Sequence, residues 1–303
     1  MGKTKYHFES THLKKEIEQF RSYLQEKHFA KNTIRLYTNY TAYFLNWHEN
    51  ENVTPEETTY NDILKFIDYC RNDGKENLQI NHILLAINHY YGYLSQTRTL
   101  KNPASGVRVK GITKKVPQDL LNIEELEEVY MQYKVYGQRD KRNKVILGIL
   151  IYQFPRLEEL RKLQTTDINL KSGKIYIPGT RQSNGRMLEL KSFQIMELQE
   201  YLNEVRLKLI QGTSTNQLFI SMKGNTNIKN SIQTLFRTLR KQNPEIKNQT
   251  QIRMSMISHL QKTVPLRMLQ YIAGHKYISS TERYKTTNTD ELYKQLELFH
   301  PLR

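Results

Sequence analysis

The chain has 303 residues, 38% of them hydrophobic and 25% charged, a composition typical of a soluble globular protein long enough for two domains. It has no apolar run of about 18 residues, which excludes a membrane-spanning segment. Its single cysteine, Cys70, excludes an internal disulfide and fits a reducing cytoplasm. The formal net charge of +16 predicts a polyanionic partner, first of all nucleic acid. A solubilising surface and a contact with anionic lipid are the alternatives.

The first hundred residues carry four apolar stripes at helical spacing, with Ser10–Thr11, Asn32 and Asn61 as start signals and Gly74 as a left-handed stop. Stripes on one face predict the core of a small helical bundle, a domain over residues 1–100. The stripes are Leu13, Ile17, Phe20 and Leu24; Ile34, Tyr37, Thr41, Phe44 and Leu45; Ile63, Phe66, Ile67 and Cys70; and Ile80, Leu84, Ile87, Tyr91 and Leu94.

The periodic pattern stops between residues 101 and 117. The segment "KNPASGVRVKGITKKVP" combines proline and glycine with basic residues and has no acid. This composition predicts a linker, and its charge suggests that it lies along a phosphate backbone. A solvated tether is an equal alternative. The candidate DNA-binding residues are Lys101, Arg108, Lys110, Lys114 and Lys115.

The remaining residues, 118–303, predict a second domain that is mainly helical. Asn122 and Glu125 form a capping box, and Val145 to Phe154 predict a buried helix. After this buried helix, Ile175 and Ile177 alternate with polar residues before a turn at 179–185. This pattern predicts a hairpin. The fold class is therefore mainly α with a small antiparallel sheet (α+β). Further helices are predicted from Ser192, from Ser231 and from Leu266, and in a tail with Leu292, Leu296 and Phe299.

Several kinds of site are excluded by missing patterns. The tripeptide Gly2–Thr4 lacks the glycine loop of a nucleotide cradle. There is no His-Glu-x-x-His motif and no pair of cysteines, which argues against a zinc site. Acidic residues do not cluster as they do in two-metal nucleases. We therefore predict neither a metal nor any other cofactor.

A set of cations and one tyrosine remains. Pro155 predicts a helix break, so Arg156 is expected to begin a new helix, with Glu159 one turn on and able to hold its guanidinium. Two arginines can grip a phosphodiester, because each planar fork matches two phosphate oxygens. A tyrosine is suited to reversible attack on phosphorus, since phenoxide is a good leaving group. Taken singly, these residues also fit surface ion pairs, a core histidine and a surface aromatic. The further candidates are Arg253, His275 and Tyr284.

The order of these residues resembles the tyrosine recombinases, the phage-integrase and Xer-type family, over nearly the whole chain. "FPRLEELRKLQTTDINL" resembles the first arginine box and "QTQIRMSMISHL" the second. "AGHKYISSTERY" resembles the family's third box, a Gly-His pair with a tyrosine nine positions after the histidine. "KNTIRLYTNYTAYFLNW" and Asn102–Pro103 resemble the core-binding domain. The resemblance implies Arg156 and Arg253 as the phosphate clamp, His275 as a proton acceptor or phosphate ligand, and Tyr284 as the nucleophile.

Three positions depart from the family pattern. Thr250 stands where the second box usually has histidine, and it can hydrogen-bond a phosphate but cannot exchange a proton near pH 7. Arg181 aligns with the lysine that is usually the general acid. A guanidinium is a poor acid, so we expect Arg181 to stabilise charge instead. Phe154-Pro155 replaces a small, flexible pair.

The resemblance implies a site-specific recombinase that cleaves and rejoins DNA through a 3′-phosphotyrosyl intermediate. The expected partner is double-stranded DNA, with dimers or tetramers assembled on it, in the cytoplasm on the nucleoid and without a membrane contact. Whether accessory DNA-bending proteins take part stays open, as does docking of the tail in cis or in trans. The alternatives are a type IB topoisomerase and a DNA-binding protein of the same fold without activity.

Overall fold

The structure, a computed structural model, describes residues 11–98, 100–111, 119–210 and 214–284. It divides into two compact units, Met1–Lys114 (unit 1) and Lys115–Arg303 (unit 2). Within the described ranges the chain forms thirteen α-helices and one three-stranded antiparallel sheet, which confirms the predicted fold class. No helix in those ranges has both the length and the apolar character needed to cross a bilayer.

Unit 1 contains four helices whose apolar stripes face one core. They are α1 (Thr11–Glu26), α2 (Lys31–Glu51), α3 (Tyr60–Asn72) and α4 (Asn77–Thr97). The four predicted stripes are buried along their length, with Tyr37 only partly covered. The prediction of a helical bundle is therefore confirmed for this unit.

The start of α3 differs from the prediction. Thr59, not Asn61, is the N-cap, because Thr59 and Asp62 form a reciprocal capping box. The Thr59 N–H donates to the Asp62 carboxylate at 3.0 Å, and the Asp62 N–H donates to the Thr59 hydroxyl at 3.4 Å. The predicted stop is confirmed: Gly74 follows the helix with φ +72°, a conformation that glycine adopts without strain.

The first part of the predicted linker packs on the helices of unit 1. Ala104 and Val109 are buried in its core. The side chain of Asn81 donates to the Val109 carbonyl at 2.8 Å and accepts the Val109 N–H at 2.9 Å, while Asn102 donates to Asn88 at 2.8 Å. Residues 101–111 are therefore not a free tether, because two small apolar side chains and the asparagine contacts fix them.

The basic residues of the segment 101–111 lie between the residues that pack on the core of unit 1. Lys101, Arg108 and Lys110 are exposed on unit 1, whereas Lys114 and Lys115 lie outside the described residues. Their proposed contact with DNA stays a prediction.

Unit 2 surrounds a second core centred on the buried helix α6 (Gln138–Tyr152). The predicted capping box before the first helix of this unit is confirmed, since the Asn122 N–H donates to Glu125 at 3.0 Å. A π-helical turn, Tyr201–Val205, joins α8 to α9. The other helices are α5 (Ile123–Met131), α7 (Leu157–Lys162), α8 (Ser192–Glu200), α9 (Arg206–Ile210), α10 (Lys229–Gln242), α11 (Gln249–Leu260), α12 (Leu266–Ala273) and α13 (Ser279–Glu282). The predicted tail lies outside the described residues.

The sheet of unit 2 has the order β1-β2-β3, with β1 (Ile168–Asn169), β2 (Lys174–Ile177) and β3 (Arg186–Glu189). The predicted hairpin is β2-β3, and in its register Ile175 lies opposite Leu188 and Ile177 opposite Arg186. The connection between these strands carries residues 178–185 toward α12, as described below.

Unit 1 also buries a histidine. His48 is 2% exposed, and its ring centroid lies 4.1 Å from that of Phe44 and 5.3 Å from that of Trp47. Its Nε2 lies 3.0 Å from the Thr58 hydroxyl, and its Nδ1 has no hydrogen-bond partner among the described residues. Burial lowers the pKa of His48 to about 4, although the charge of Asp62 opposes the shift.

We expect acid to destabilise unit 1 through His48. A histidine in the unfolded chain titrates near pH 6.5, so between about pH 6.5 and 4 the unfolded state binds the additional proton. The free energy of unfolding should fall across this window by on the order of 3 kcal/mol. Urea denaturation at pH 7, 6 and 5, followed by fluorescence of the single tryptophan Trp47, measures unit 1 alone. His48→Gln should flatten the dependence; equal slopes in both proteins contradict the assignment.

Candidate active site

Arg253 connects two segments that are distant in sequence. It lies on α11, is 6% exposed, and donates from Nη1 to the Phe154 carbonyl at 2.6 Å and from Nη2 to the Ala273 carbonyl at 2.7 Å. Each of these residues comes two positions before a predicted site residue, Arg156 or His275. The guanidinium therefore fixes the backbone from which both side chains project.

The segment before Arg156 has a strained backbone. Helix α6 ends at Tyr152, two residues before the predicted end, because Pro155 has no N–H and disfavours the helical conformation of the residue before it. Phe154 is buried with φ +35°, which costs on the order of 1 kcal/mol or more for a bulky side chain. In this conformation its carbonyl accepts the bond from Arg253. Arg156 follows as the half-buried N-cap of α7.

Glu159 binds a different arginine from the one expected. Its Oε2 accepts the backbone N–H of Arg156 at 2.7 Å. Its two oxygens accept Nη1 and Nη2 of Arg186 at 3.2 and 3.0 Å, and both side chains of this ion pair are completely buried. Burial works against ionisation of Glu159, but the bonds and charge of Arg186 outweigh it and lower the pKa of the carboxyl.

The hairpin connection packs on the turn that precedes His275. Helix α12 ends at Ala273, and Gly274 adopts φ +64°. The Asn184 N–H donates to the Gly274 carbonyl at 3.0 Å, and Ser183 forms a β-bridge with His275. A Cβ on Gly274 would overlap Arg186 Nη1 and lie 2.9 Å from the Asn184 carbonyl oxygen. Only glycine fits this position without displacing its neighbours.

His275 is buried beside Tyr284. It is 4% exposed, its Nδ1 lies 2.9 Å from the hydroxyl of the buried Thr281, and its ring is nearly parallel to the Tyr284 ring at 6.3 Å between centroids. Burial, followed by the charges of Arg253, Arg156 and other arginines, lowers the pKa of His275 to about 3. The imidazole is therefore neutral at physiological pH, and the negative charge of a substrate phosphate beside it would raise its basicity.

Tyr284 belongs to the core of unit 2 and is 6% exposed. The guanidinium of Arg283 lies over its ring, 5.5 Å from the centroid. Burial, then the charges of Arg156 and Arg186, lower the pKa of Arg253 to about 10, while Glu159 and Tyr284 oppose the shift. Three guanidinium groups, one carboxylate, one imidazole and one phenol thus meet within a single chain.

Two of the predicted site residues lie outside this cluster of buried contacts. Arg181 is exposed in the hairpin connection. Thr250 is exposed one turn before Arg253, and its N–H donates to the N-cap side chain of Asn248 at 2.9 Å. Their proposed roles stay predictions.

Arg186 is the member of the cluster that sequence reasoning missed. A signal for it was available, because Arg186 alternates with Leu188 and Leu190 on one face of the strand. An arginine in the inward-facing series of a half-buried strand needs a buried acid, and here that acid is Glu159.

A basic groove in unit 2 was also not predicted. It has a volume of about 620 Å³ and extends from Leu157, the residue after Arg156, along α10 to the start of α11. Basic side chains are the ligands that a phosphate backbone requires. Those that line the groove are Lys229, Arg237, Arg240 and Lys247.

Two family models match the chain. Residues 119–291 match the phage integrase family, and residues 17–99 match the phage integrase N-terminal SAM-like domain. The chain belongs to the phage integrase family. As a tyrosine recombinase it is a site-specific recombinase, an enzyme that cleaves and rejoins DNA strands, which confirms the resemblance found in its motifs.

Similar proteins agree with this membership. The chain is 28% identical over 289 residues to tyrosine recombinase XerA of Pyrococcus horikoshii, covering 93% of this chain and 92% of that protein. It is 25% identical to tyrosine recombinase XerD of Staphylococcus haemolyticus, covering 94% and 98%. Among solved structures, the fold is similar to XerH site-specific recombinase bound to palindromic difH substrate, with a TM-score of 0.72, 19% identity, and 88% of this chain and 80% of that one covered.

Gly274→Ala should disrupt the site. The left-handed conformation alone costs an alanine about 1 to 2 kcal/mol, and the added methyl group must also displace Arg186 or the Asn184 carbonyl. We expect a lower melting temperature and a large loss of DNA cleavage. Gly74→Ala is the matched control, since Gly74 has φ +72° and open space around the position of a Cβ. Equal cleavage by both variants would show that the close packing at Gly274 is unimportant.

Proposed function

We propose that Tyr284 is the nucleophile of this recombinase and that it reacts within the site of its own chain. The observation that carries the proposal is that Arg253 and His275 both lie close to Tyr284. The charge of Arg253 interacts with Tyr284 and with Arg156, and the ring of His275 stacks on the ring of Tyr284. Each residue alone has an ordinary explanation, but their convergence from separate elements supports one reaction centre.

In the proposed reaction, the Tyr284 oxygen forms a bond to the scissile phosphorus and the bond from phosphorus to the 5′ oxygen breaks. The products are a 3′-phosphotyrosyl ester and a free 5′-hydroxyl. Arg156 and Arg253 neutralise the charge that develops on the non-bridging oxygens. A 5′-hydroxyl of the partner strand then attacks the ester and releases Tyr284, so the phosphodiester is restored without a cofactor.

The neutral imidazole of His275 is the proposed acceptor of the phenol proton. Because Nδ1 is bonded to Thr281, Nε2 is the nitrogen that we assign to the substrate. The leaving 5′ oxygen takes its proton from water or from another side chain, and Arg181 on the hairpin connection is proposed to stabilise its charge. Thr250 is proposed to hydrogen-bond the phosphate.

The proposed DNA contacts extend beyond the scissile phosphate. The exposed residues Lys101, Arg108 and Lys110 of unit 1, and the basic groove of unit 2, would bind the phosphate backbone. Two proteins of similar fold, XerH bound to difH substrate and Tn1549 transposon integrase in complex with transposon right end DNA, support the proposal that this fold binds DNA. We further propose that protomers assemble as dimers and tetramers on DNA, and that the enzyme acts on the nucleoid in the cytoplasm.

Covalent trapping tests the nucleophile. With a nicked suicide substrate that contains the cognate site, sought first in the DNA flanking the gene, wild type should form a protein–DNA complex that resists SDS. Tyr284→Phe should form none while it binds the same DNA, because only the attacking oxygen is lost.

Arg156→Ala should bind within about tenfold of wild type but lose at least about a hundredfold in cleavage. An empty lane for wild type would favour a binding protein without activity.

The pH dependence of cleavage tests the state of His275. Since its pKa lies near 3 in the free protein, protonation of His275 should not reduce kcat/KM between pH 8 and 5. His275→Gln should react more slowly with a profile of the same shape over this range. An acid limb near pH 6.5 that occurs in wild type and disappears in His275→Gln would contradict the neutral, buried assignment.

A further inference from the structure

We infer that Arg186 is a positioning residue that aligns the two halves of the reaction centre, Arg156 on one side and His275 on the other. The inference rests on the proposed function, because it concerns the groups that would carry the chemistry. Arg186 lies at the start of β3 and its side chain is completely buried. It therefore acts on the reaction through its neighbours.

The connection to Arg156 passes through Glu159. The same carboxylate oxygen, Oε2, accepts the Arg156 N–H at 2.7 Å and Arg186 Nη2 at 3.0 Å. Because both bonds end on one atom, the position of Arg186 sets the position of the Arg156 backbone at the N-cap of α7. The second bond, from Nη1 to Oε1 at 3.2 Å, prevents the carboxylate from rotating.

The connection to His275 passes through Gly274. The missing side chain of this residue leaves the space that Arg186 Nη1 occupies. Two residues before Arg186 in the chain, Asn184 donates its N–H to the Gly274 carbonyl, and Ser183 pairs with His275 itself. A shift of the Arg186 guanidinium would therefore be transmitted to the backbone of His275.

Arg186 also balances charge. Without it, the buried carboxylate of Glu159 would attract Arg156 and Arg253, whose charges the substrate phosphate needs. The ion pair satisfies Glu159 inside unit 2 and leaves those two guanidinium groups available. A lysine could supply the charge but not the two parallel N–H bonds, because its donors radiate from one nitrogen.

The test compares four variants with wild type. Arg186→Met removes the guanidinium, and Arg186→Lys keeps a cation. The double variant Arg186→Met/Glu159→Gln removes both charges, so it avoids the unpaired buried carboxylate that could unfold the single variant. It also keeps an oxygen that can accept the Arg156 N–H. Arg142→Met is the matched control: this buried arginine of unit 2 bonds to Asn143 and to the Ile220 carbonyl.

The rate of covalent complex formation should fall about a hundredfold in Arg186→Met and in the double variant, the loss typical of a misplacement of about 1 Å. DNA affinity should stay within about threefold of wild type, and Arg186→Lys should be intermediate. Arg142→Met should cleave at the wild-type rate after correction for its folded fraction. If the folded double variant cleaves within about threefold of wild type, Arg186 does not position the site.

A neutral scissile linkage separates positioning of the clamp from a general structural role. A methylphosphonate lacks the negative charge that Arg156 and Arg253 neutralise. The ratio of wild-type to variant rates should therefore shrink from about a hundred to below about ten on this linkage. The same ratio on both linkages would mean that Arg186 only supports the fold.

Titration of His275 by NMR gives a readout that does not require activity. In Arg186→Met the pKa of His275 should rise, since one of the cations that lowers it is gone and Glu159 has lost its partner. It should stay low in Arg186→Lys. An unchanged pKa of His275 in Arg186→Met would overturn the inference, whether or not wild type forms a covalent complex. Failure of wild type to form that complex would instead refute the proposed function.

Discussion

The two hydrogen bonds of Arg253 are the constraint on which the reaction centre depends. By binding the carbonyls of Phe154 and Ala273, this one side chain joins the end of α6 to the end of α12. The arginine that the family motif assigns to the phosphate is thus a structural crosslink as well. A carbonyl-bonded guanidinium cannot swing freely, so the proposed phosphate clamp would be preorganised before DNA binds, at the cost of an unfavourable backbone conformation at Phe154.

Four members of the proposed reaction centre come from four different elements of unit 2. Arg156 caps α7, Arg186 begins β3, Arg253 lies on α11, and His275 follows α12. Since these side chains come from separate elements, the cluster forms only when those elements have packed together. The hairpin is short, yet its connection binds the backbone at Gly274 and at His275.

The sequence predicted elements more reliably than contacts. The stripes of unit 1 and the capping box at Asn122 follow from local periodicity and local chemistry, and both are confirmed. Alternation along β3 could have indicated that Arg186 is buried, but not that it pairs with Glu159, because the two are 27 residues apart and only the fold brings them together. The packing of Ala104 and Val109 escaped notice for the same reason, since two small side chains in a basic segment give no periodic signal. The family motifs gave the candidate reactive residues but not the buried pair of Arg186 and Glu159 beside them.

Within the described residues of unit 2, the guanidinium groups of Arg156, Arg186 and Arg253 lie around one buried carboxylate, that of Glu159. Their mutual repulsion weakens the free protein, and an anion that settles among them relieves it. Folding and anion uptake are then coupled by mass action, so the unfolding free energy rises with the logarithm of the anion concentration once the site is filled. We therefore expect thermal melts of this protein recorded in chloride and in phosphate buffer to differ.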